Sequence, residues 1–156
     1  MKALVKFWKS ILLVLLMVAF LVPAGAWAAE EIKIGVIYPL TGGAAAAGRE
    51  LRAGAELAAE IANSTMAQNN GVKSLGGAKI KFIFKDHEGN PTLGADQAKK
   101  LILDDKVDGI LGRYFSSVTK TVSAVCEQYG IPMINGSSTS PALTERGFKW
   151  LAYHAP

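Results

Sequence analysis

Segments typical of buried strands alternate with segments typical of helices along most of this chain. The strand-like segments are apolar and rich in β-branched residues, whereas the helix-like segments repeat their apolar residues every three or four positions. This alternation is typical of βαβ units, in which helices cover both faces of a parallel sheet. We therefore predict a doubly wound α/β fold. Predicted strands lie at residues 32–38, 80–84, 107–111 and 131–135, and predicted helices at 49–63, from 90 onward, and from 116 to about 130.

The first predicted helix follows a tract of alanines that we interpret as a small-residue loop after the Thr41-Gly42-Gly43 turn. From Arg49 the pattern becomes helical. Its apolar positions share one face, as expected of a helix that packs on a sheet. These positions are Leu51, Ala55, Ala58 and Ala62.

The other two helices carry clearer local signals. Asn90 and Pro91 are suited to the cap and the first turn of the second helix. Cys126 is the single cysteine of the chain, so an internal disulfide is impossible. It shares helical spacing with the valines at 118, 122 and 125, which favours a packed core thiol over a reactive one.

The N-terminus predicts a secretory signal peptide over residues 1–28. Three lysines precede an apolar run at 11–22, and Ala26-Trp27-Ala28 forms a small-residue cleavage site. The alternative is a membrane anchor, but this run is short of the roughly 20 residues that a spanning helix needs. No cysteine precedes the cleavage site, so no lipid anchor is expected, and residues 29–156 should be a soluble periplasmic chain.

The formal charge of +4 overstates how basic the mature chain is. Three of the 17 basic residues leave with the predicted signal peptide, which leaves 14 against 13 acidic residues. No basic stripe remains, so a nucleic-acid partner is not expected.

Ligands of open parallel sheets bind beyond the carboxyl ends of the strands. The loop at residues 113–117 follows the third predicted strand at such an end and leads into a helix. The free N–H groups and the dipole at the start of this helix suit a carboxylate. Ser116 or Ser117 would add a hydroxyl, although either serine would also serve simply as the helix cap. The next such loop, residues 136–141, is rich in hydroxyls and glycine. It suits an ammonium and a carboxylate, but it also fits an ordinary turn.

Four segments, in order and spacing, make the chain resemble the branched-chain amino acid (leucine-binding) periplasmic solute-binding proteins of ABC transporters. They are residues 35–42 (GVIYPLTG), 100–107 (KLILDDKV), 116–117 (SS) and 137–144 (SSTSPALT). The resemblance implies a type I periplasmic binding protein of two α/β lobes with the ligand between them. It also implies that residues 29–156 form a truncated N-terminal lobe, that the second lobe is absent, and that an inner-membrane permease is the partner.

The resemblance further assigns ligand-binding roles. Ser116 is expected to bind a ligand carboxylate. The loop containing Ser137, Ser138 and Thr139 is expected to supply a carbonyl, a backbone N–H and a threonine hydroxyl to the carboxylate and ammonium. The ligand would be a branched-chain or related amino acid, or a similar small amide or acid.

The sequence departs from the family pattern at two places. The family often has an aromatic residue near Ala47, where this chain has only alanines. Arg113 and Tyr114 precede the serines, and Arg113 either pairs with a second carboxylate on the ligand or lies in solvent.

Other kinds of chemistry have weak support in the sequence. Asp86-His87-Glu88 offers adjacent metal-ligating types, but neighbours on a turn do not converge on one ion. No G-x-G-x-x-G follows the first strand, and no serine has an evident base beside it. We expect no metal, no cofactor and no enzymatic activity.

Two further questions stay open at the sequence level. A ligand-sensing ectodomain of a signalling system shares this fold and is the main alternative to a transport receptor, with a periplasmic enzyme as a third possibility. We expect no closing strand or helix at residues 152–156. We also expect poor stability or association if the chain ends at Pro156, because a lone lobe exposes apolar surface.

Overall fold

The computed structural model describes residues 31–64, 71–112 and 114–153. Its strands are β1 (Ile32–Tyr38), β2 (Ile80–Asp86), β3 (Gly109–Gly112), β4 (Met133–Asn135) and β5 (Leu151–Tyr153). Its α-helices are α1 (Ala45–Asn63), α2 (Pro91–Leu103) and α3 (Ser116–Tyr129). Short 3-10 turns occur at Gly42–Ala44, Lys73–Leu75 and Pro141–Leu143.

The five strands form one parallel sheet in the order β2-β1-β3-β4-β5. Val36 of β1, for example, lies opposite Phe84 of β2 and Leu111 of β3. The first crossover leads from β1 to β2 on one side, and the chain then returns to place β3 on the other side of β1. The predicted doubly wound α/β fold is confirmed.

Helices cover both faces of this sheet because alternate strand residues point to opposite sides. On one face, Ile37 and Met133 are buried with Leu101 of α2 and Val122 of α3. Gly35 permits this packing, since a Cβ atom there would lie 2.7 Å from Leu101 Cδ1. Cys126 belongs to the same core, as its spacing predicted.

The opposite face packs against α1. Val36 and Tyr38 are buried there with Ala55 of the helix. A Cβ atom built on Gly48 would overlap the carbonyl oxygen of Pro39, so only glycine allows the first turns of α1 to approach the end of β1 so closely.

Two predictions about local structure are wrong. The alanine tract is not a loop, because α1 begins at Ala45, four residues before the predicted start at Arg49. Alanine has the highest intrinsic helix propensity, and the polar residues from 49 onward conceal that the pattern starts earlier. The expectation of no packed strand or helix from residue 152 onward is also wrong, because β5 (Leu151–Tyr153) pairs in parallel with β4.

Part of the apolar sheet surface stays open to solvent. Ile134 of β4 is 52 % exposed. A shallow cavity of about 310 Å³ beside it is lined largely by apolar residues of β1, β3 and β4. This surface agrees with the expectation that residues 29–156 alone would associate, which stays a prediction.

The predicted signal peptide at residues 1–28 lies outside the described residues and stays a prediction. Within the described ranges, no helix combines the length and the apolar character needed to cross a bilayer.

Candidate functional site

All strand ends that the sequence singled out lie at one edge of the sheet, because every strand pair is parallel. The loops that follow β3 and β4 are neighbours at this edge, since those two strands are paired. The loop after β3 leads into α3, and the loop after β4 contains the Ser137-Ser138-Thr139 sequence. The edge therefore brings together the two segments in which ligand-binding residues were predicted.

Ser116 is the first residue of α3, and Phe115 occupies the cap position. Phe115 has no side-chain acceptor, and no side-chain cap hydrogen bond forms there. The idea that Ser116 or Ser117 merely caps the helix is therefore wrong. The first helical bond recorded between this cap and the helix runs from the Thr119 N–H to the Phe115 carbonyl. The preceding N–H groups and the half-buried Ser116 stand at the positive end of the helix dipole.

Asn135 organises the loop after β4. Its Oδ1 accepts hydrogen bonds from the N–H groups of Ser137 at 3.4 Å and of Ser138 at 2.9 Å, and its Nδ2 donates to the Ser138 carbonyl at 2.7 Å. The Gly136 N–H donates to the Gly112 carbonyl at 3.2 Å, which ties the loop to β3. Asn135 is 1 % exposed, so these bonds are shielded from water.

A second interaction joins this loop to α3. The hydroxyl oxygens of Thr119 and Ser138 lie 2.7 Å apart, and the two residues are 2 % and 4 % exposed. Thr119 lies three positions after Ser116 and so on the same side of the helix. The pair therefore fixes the β4 loop relative to the first turn of α3.

These contacts divide the predicted loop residues into two groups. The hydroxyl, N–H and carbonyl of Ser138 are all engaged inside the protein. Ser137 and Thr139 are exposed on either side of it. Ser138 is thus placed to shape the loop, while its two neighbours are exposed to solvent.

Sequence reasoning missed Asn135 and Thr119 as members of this site. A signal for Asn135 was present, because an asparagine that ends a strand before Gly-Ser-Ser is suited to bond to the backbone two residues further on. A signal for Thr119 was its position one helical turn after Ser116, on the same face.

Tyr114 lies at the opening of the site, directly before Phe115. Its side chain is 44 % exposed, its φ angle is 96°, and its ring packs edge-on against Phe115 with centroids 4.9 Å apart. A positive φ is rare for a bulky residue and costs free energy, which often marks a functional position. Arg113 lies outside the described residues, so its two alternative roles stay predictions.

The loops after β1 and β2 are joined by Asp86. Its carboxylate accepts hydrogen bonds from the Thr41 hydroxyl, from the Leu40 N–H at 2.8 Å and from the Glu88 N–H at 2.9 Å. Burial alone would raise the pKa of Asp86, but these hydrogen bonds outweigh it and hold the pKa below its ordinary value. Asp86 is therefore an ionised carboxylate that joins the two loops.

His87 turns away from its two acidic neighbours and into the protein. It is fully buried, its Nδ1 accepts a hydrogen bond from the Gly89 N–H at 2.9 Å, and its Nε2 has no hydrogen-bond partner. The ring packs edge-on against Phe115 with centroids 5.8 Å apart. Desolvation lowers the pKa of His87, and the Asp86 charge opposes this shift. Among the described residues, no three His, Cys, Asp or Glu side chains converge to hold a metal ion.

Comparison with known proteins identifies the family. The model of the periplasmic binding protein family matches residues 31–155. The chain belongs to this family.

The resemblance to the leucine-binding proteins is confirmed by curated relatives. One is a Leu/Ile/Val-binding protein homolog of Brucella melitensis, 35 % identical over 76 % of this chain and 30 % of the relative. Another, from Pseudomonas aeruginosa, is a leucine-, isoleucine-, valine-, threonine- and alanine-binding protein, 34 % identical over 78 % of this chain and 31 % of the relative.

Solved structures of family members have the same fold. The branched-chain amino acid substrate-binding protein LivJ of Streptococcus pneumoniae, in complex with isoleucine, has a TM-score of 0.70 and 28 % identity over 80 % of this chain and 33 % of its own. An ABC transporter solute-binding protein of Rhodopseudomonas palustris, in complex with 3,4-dihydroxybenzoic acid, has a TM-score of 0.65 and 25 % identity over 79 % of this chain and 31 % of its own. The family member described here thus spans about a third of the length of the relatives it matches.

Proposed function

We propose that the whole protein to which this chain belongs is an extracytoplasmic solute-binding receptor of an ABC importer. It captures a branched-chain or related amino acid, or a similar small amide or acid, and delivers it to an inner-membrane permease. It acts in the periplasm after its signal peptide is cleaved after Ala28. The family match and the amino acid-binding relatives support this proposal.

The observation that carries the proposal is the buried Thr119–Ser138 hydroxyl pair, which holds the β4 loop against the first turn of α3. Ser116 then lies near the free N–H groups of α3, and Thr139 lies on the exposed side of the loop. Donors of this kind are suited to a carboxylate, and the loop carbonyls are suited to an ammonium. An amino acid zwitterion carries both groups.

Capture rather than conversion fits the chemistry of the described residues. The pKa of the buried Cys126 thiol is raised to about 12, and His87 is enclosed by protein. Neither group reaches the hydroxyls at the strand ends as a nucleophile or base. A receptor needs only hydrogen bonds that strengthen when a second lobe closes and removes water.

Isothermal titration calorimetry of the full-length receptor with the proteinogenic amino acids tests the proposal. We expect one-to-one binding of at least one amino acid at micromolar concentration or below. We expect residues 29–156 alone to bind it much more weakly, because one lobe desolvates only one side of the ligand. Absence of binding by every amino acid and by small amides and acids of similar size, or turnover of a bound solute, would contradict the proposal.

A further inference from the structure

A cavity of about 290 Å³ lies at the same edge of the sheet as the candidate site, where the loops after β1, β2 and β3 meet. The sheet order reverses at this place, because β1 is followed by β2 on one side and has β3 on its other side. Ligands of such sheets favour this reversal point. Phe115, the residue before Ser116, contributes to the wall. Among the described residues, Thr41, Gly43, Ala44, Glu88 and Tyr114 also line the cavity.

Two walls of this cavity differ in size and rigidity. Gly43 and Ala44 leave space on the β1 side, where no bulky side chain of the lining intrudes. On the β3 side, the exposed Tyr114 ring packs edge-on against Phe115, and the Phe115 ring packs edge-on against the buried His87. The φ angle of Tyr114 is positive, a backbone conformation that is strained for a tyrosine. An aromatic face held in this way is suited to contact a flat or cationic group.

Among the described residues that line the cavity, the formally charged one is Glu88, and the ionised carboxylate of Asp86 adjoins it. The ion pairs formed within the described part of the chain involve other carboxylates, namely those of Glu56, Glu31 and Asp105. A carboxylate accepts hydrogen bonds and never donates them, so a ligand group that meets Glu88 must be a donor.

From these features we infer that the cavity receives a positively charged side chain of the ligand, with Glu88 as its ion-pair partner and Tyr114 as its cation–π face. The inference rests on the proposed receptor function and narrows its substrate class to amino acids with a basic side chain. Lobe closure would strip water from Glu88, and a buried charge without a partner is costly. A ligand cation offsets that cost, whereas an aliphatic side chain does not.

The test compares L-lysine with L-norleucine, which share an unbranched four-carbon side chain and differ in the terminal ammonium. Calorimetry on the full-length receptor should give tighter binding of L-lysine. Glu88→Gln should weaken L-lysine binding about 10- to 100-fold, as expected for a lost hydrogen bond to a charged group, and leave L-norleucine within about two-fold. Tyr114→Leu should weaken L-lysine selectively and by less, because a cation–π contact is worth less than an ion pair.

Glu60→Gln is the matched control. Glu60 is exposed on α1, about 22 Å along the helix axis from Ala45 at the cavity end of that helix. This variant should bind both ligands as the unmodified receptor does.

The outcomes separate the two proposals. Binding of L-norleucine or another neutral amino acid without preference for L-lysine overturns the inference and leaves the receptor function standing. An equal loss of both ligands in Glu88→Gln also overturns the inference, since it assigns Glu88 a structural role. No binding of any amino acid, small amide or small acid overturns both the inference and the receptor function.

Discussion

Thr119 and Ser138 share a buried hydrogen bond between hydroxyl oxygens 2.7 Å apart, although 19 positions separate them in the sequence. Thr119→Val keeps the shape of the side chain but leaves the Ser138 hydroxyl buried without this partner. We predict a loss of about 1–3 kcal/mol in the free energy of unfolding, the cost of an unsatisfied buried polar group. Denaturant unfolding of the full-length receptor measures it.

Thr92→Val provides the control, because Thr92 is exposed on α2 and should change stability by less than about 0.5 kcal/mol. In the double variant Thr119→Val with Ser138→Ala, neither hydroxyl remains to be left unpaired. Its loss should therefore be smaller than the sum of the single losses. Strict additivity would show that the two hydroxyls do not interact.

Asn135→Ala is predicted to reduce both stability and ligand affinity. It removes the bonds to Ser137 and Ser138 that give the β4 loop its shape, at about 1 kcal/mol for each lost bond. Asn63→Ala is a closely matched control. The Asn63 side chain also forms two 2.8 Å hydrogen bonds with the backbone, in this case with Ile80. Ile80 is the first residue of β2 and so lies at the opposite edge of the sheet from the candidate site. Asn63→Ala should lower the free energy of unfolding and leave ligand affinity unchanged. Equal effects of the two variants on affinity would argue against a role for Asn135 in the site.

His87 should make the receptor less stable below about pH 6.5. Desolvation lowers its folded pKa below the ordinary value of 6.5, so the unfolded chain binds the proton more readily. Stability is therefore complete above pH 6.5 and is lost as the pH falls from there towards the folded pKa. Asp86, whose folded pKa is also lowered, adds its own loss only below its ordinary value of 3.8. NMR titration should show the His87 resonance changing below pH 6.5.

His87→Asn is the comparison variant for the pH dependence of stability. The Oδ1 atom of the asparagine is placed to replace the His87 Nδ1 as acceptor of the Gly89 N–H. The variant should flatten the stability profile below about pH 6.5. A profile that keeps its full slope would assign the titration to other groups.

Cys126 should be inert in the native state. Burial raises the pKa of its thiol to about 12, so almost no thiolate is present at pH 8. Labelling of the full-length receptor with iodoacetamide at pH 8 should modify Cys126 only after denaturant is added. Stoichiometric labelling under native conditions would contradict the core position of this residue.

The elements that were predicted correctly depend on patterns within short stretches of sequence. The cap at Asn90 is an example, since its Oδ1 accepts hydrogen bonds from the N–H groups of Thr92 and Leu93. The β1 strand is another, because its apolar run has the same limits in the structure. Each of these features depends on residues within one turn or one strand.

The features that were missed depend on contacts between distant segments. The β5 strand has three residues, and only its pairing with Met133–Asn135 defines it. The Thr119–Ser138 bond requires both α3 and the β4 loop to be in place, which no local pattern encodes. The positive φ angle of Tyr114 had no sequence signal either, because tyrosine rarely adopts this conformation.

The most direct test of the proposed site is the effect of Ser116→Ala and Thr139→Ala on ligand binding, with Ser117→Ala as the control on the exposed side of the same helical turn. Calorimetry of the full-length receptor with its tightest-binding amino acid should show each of the first two variants binding about 10- to 100-fold more weakly, equivalent to about 1.5–3 kcal/mol. Ser117→Ala should bind normally. Unchanged affinity in both Ser116→Ala and Thr139→Ala would contradict the account.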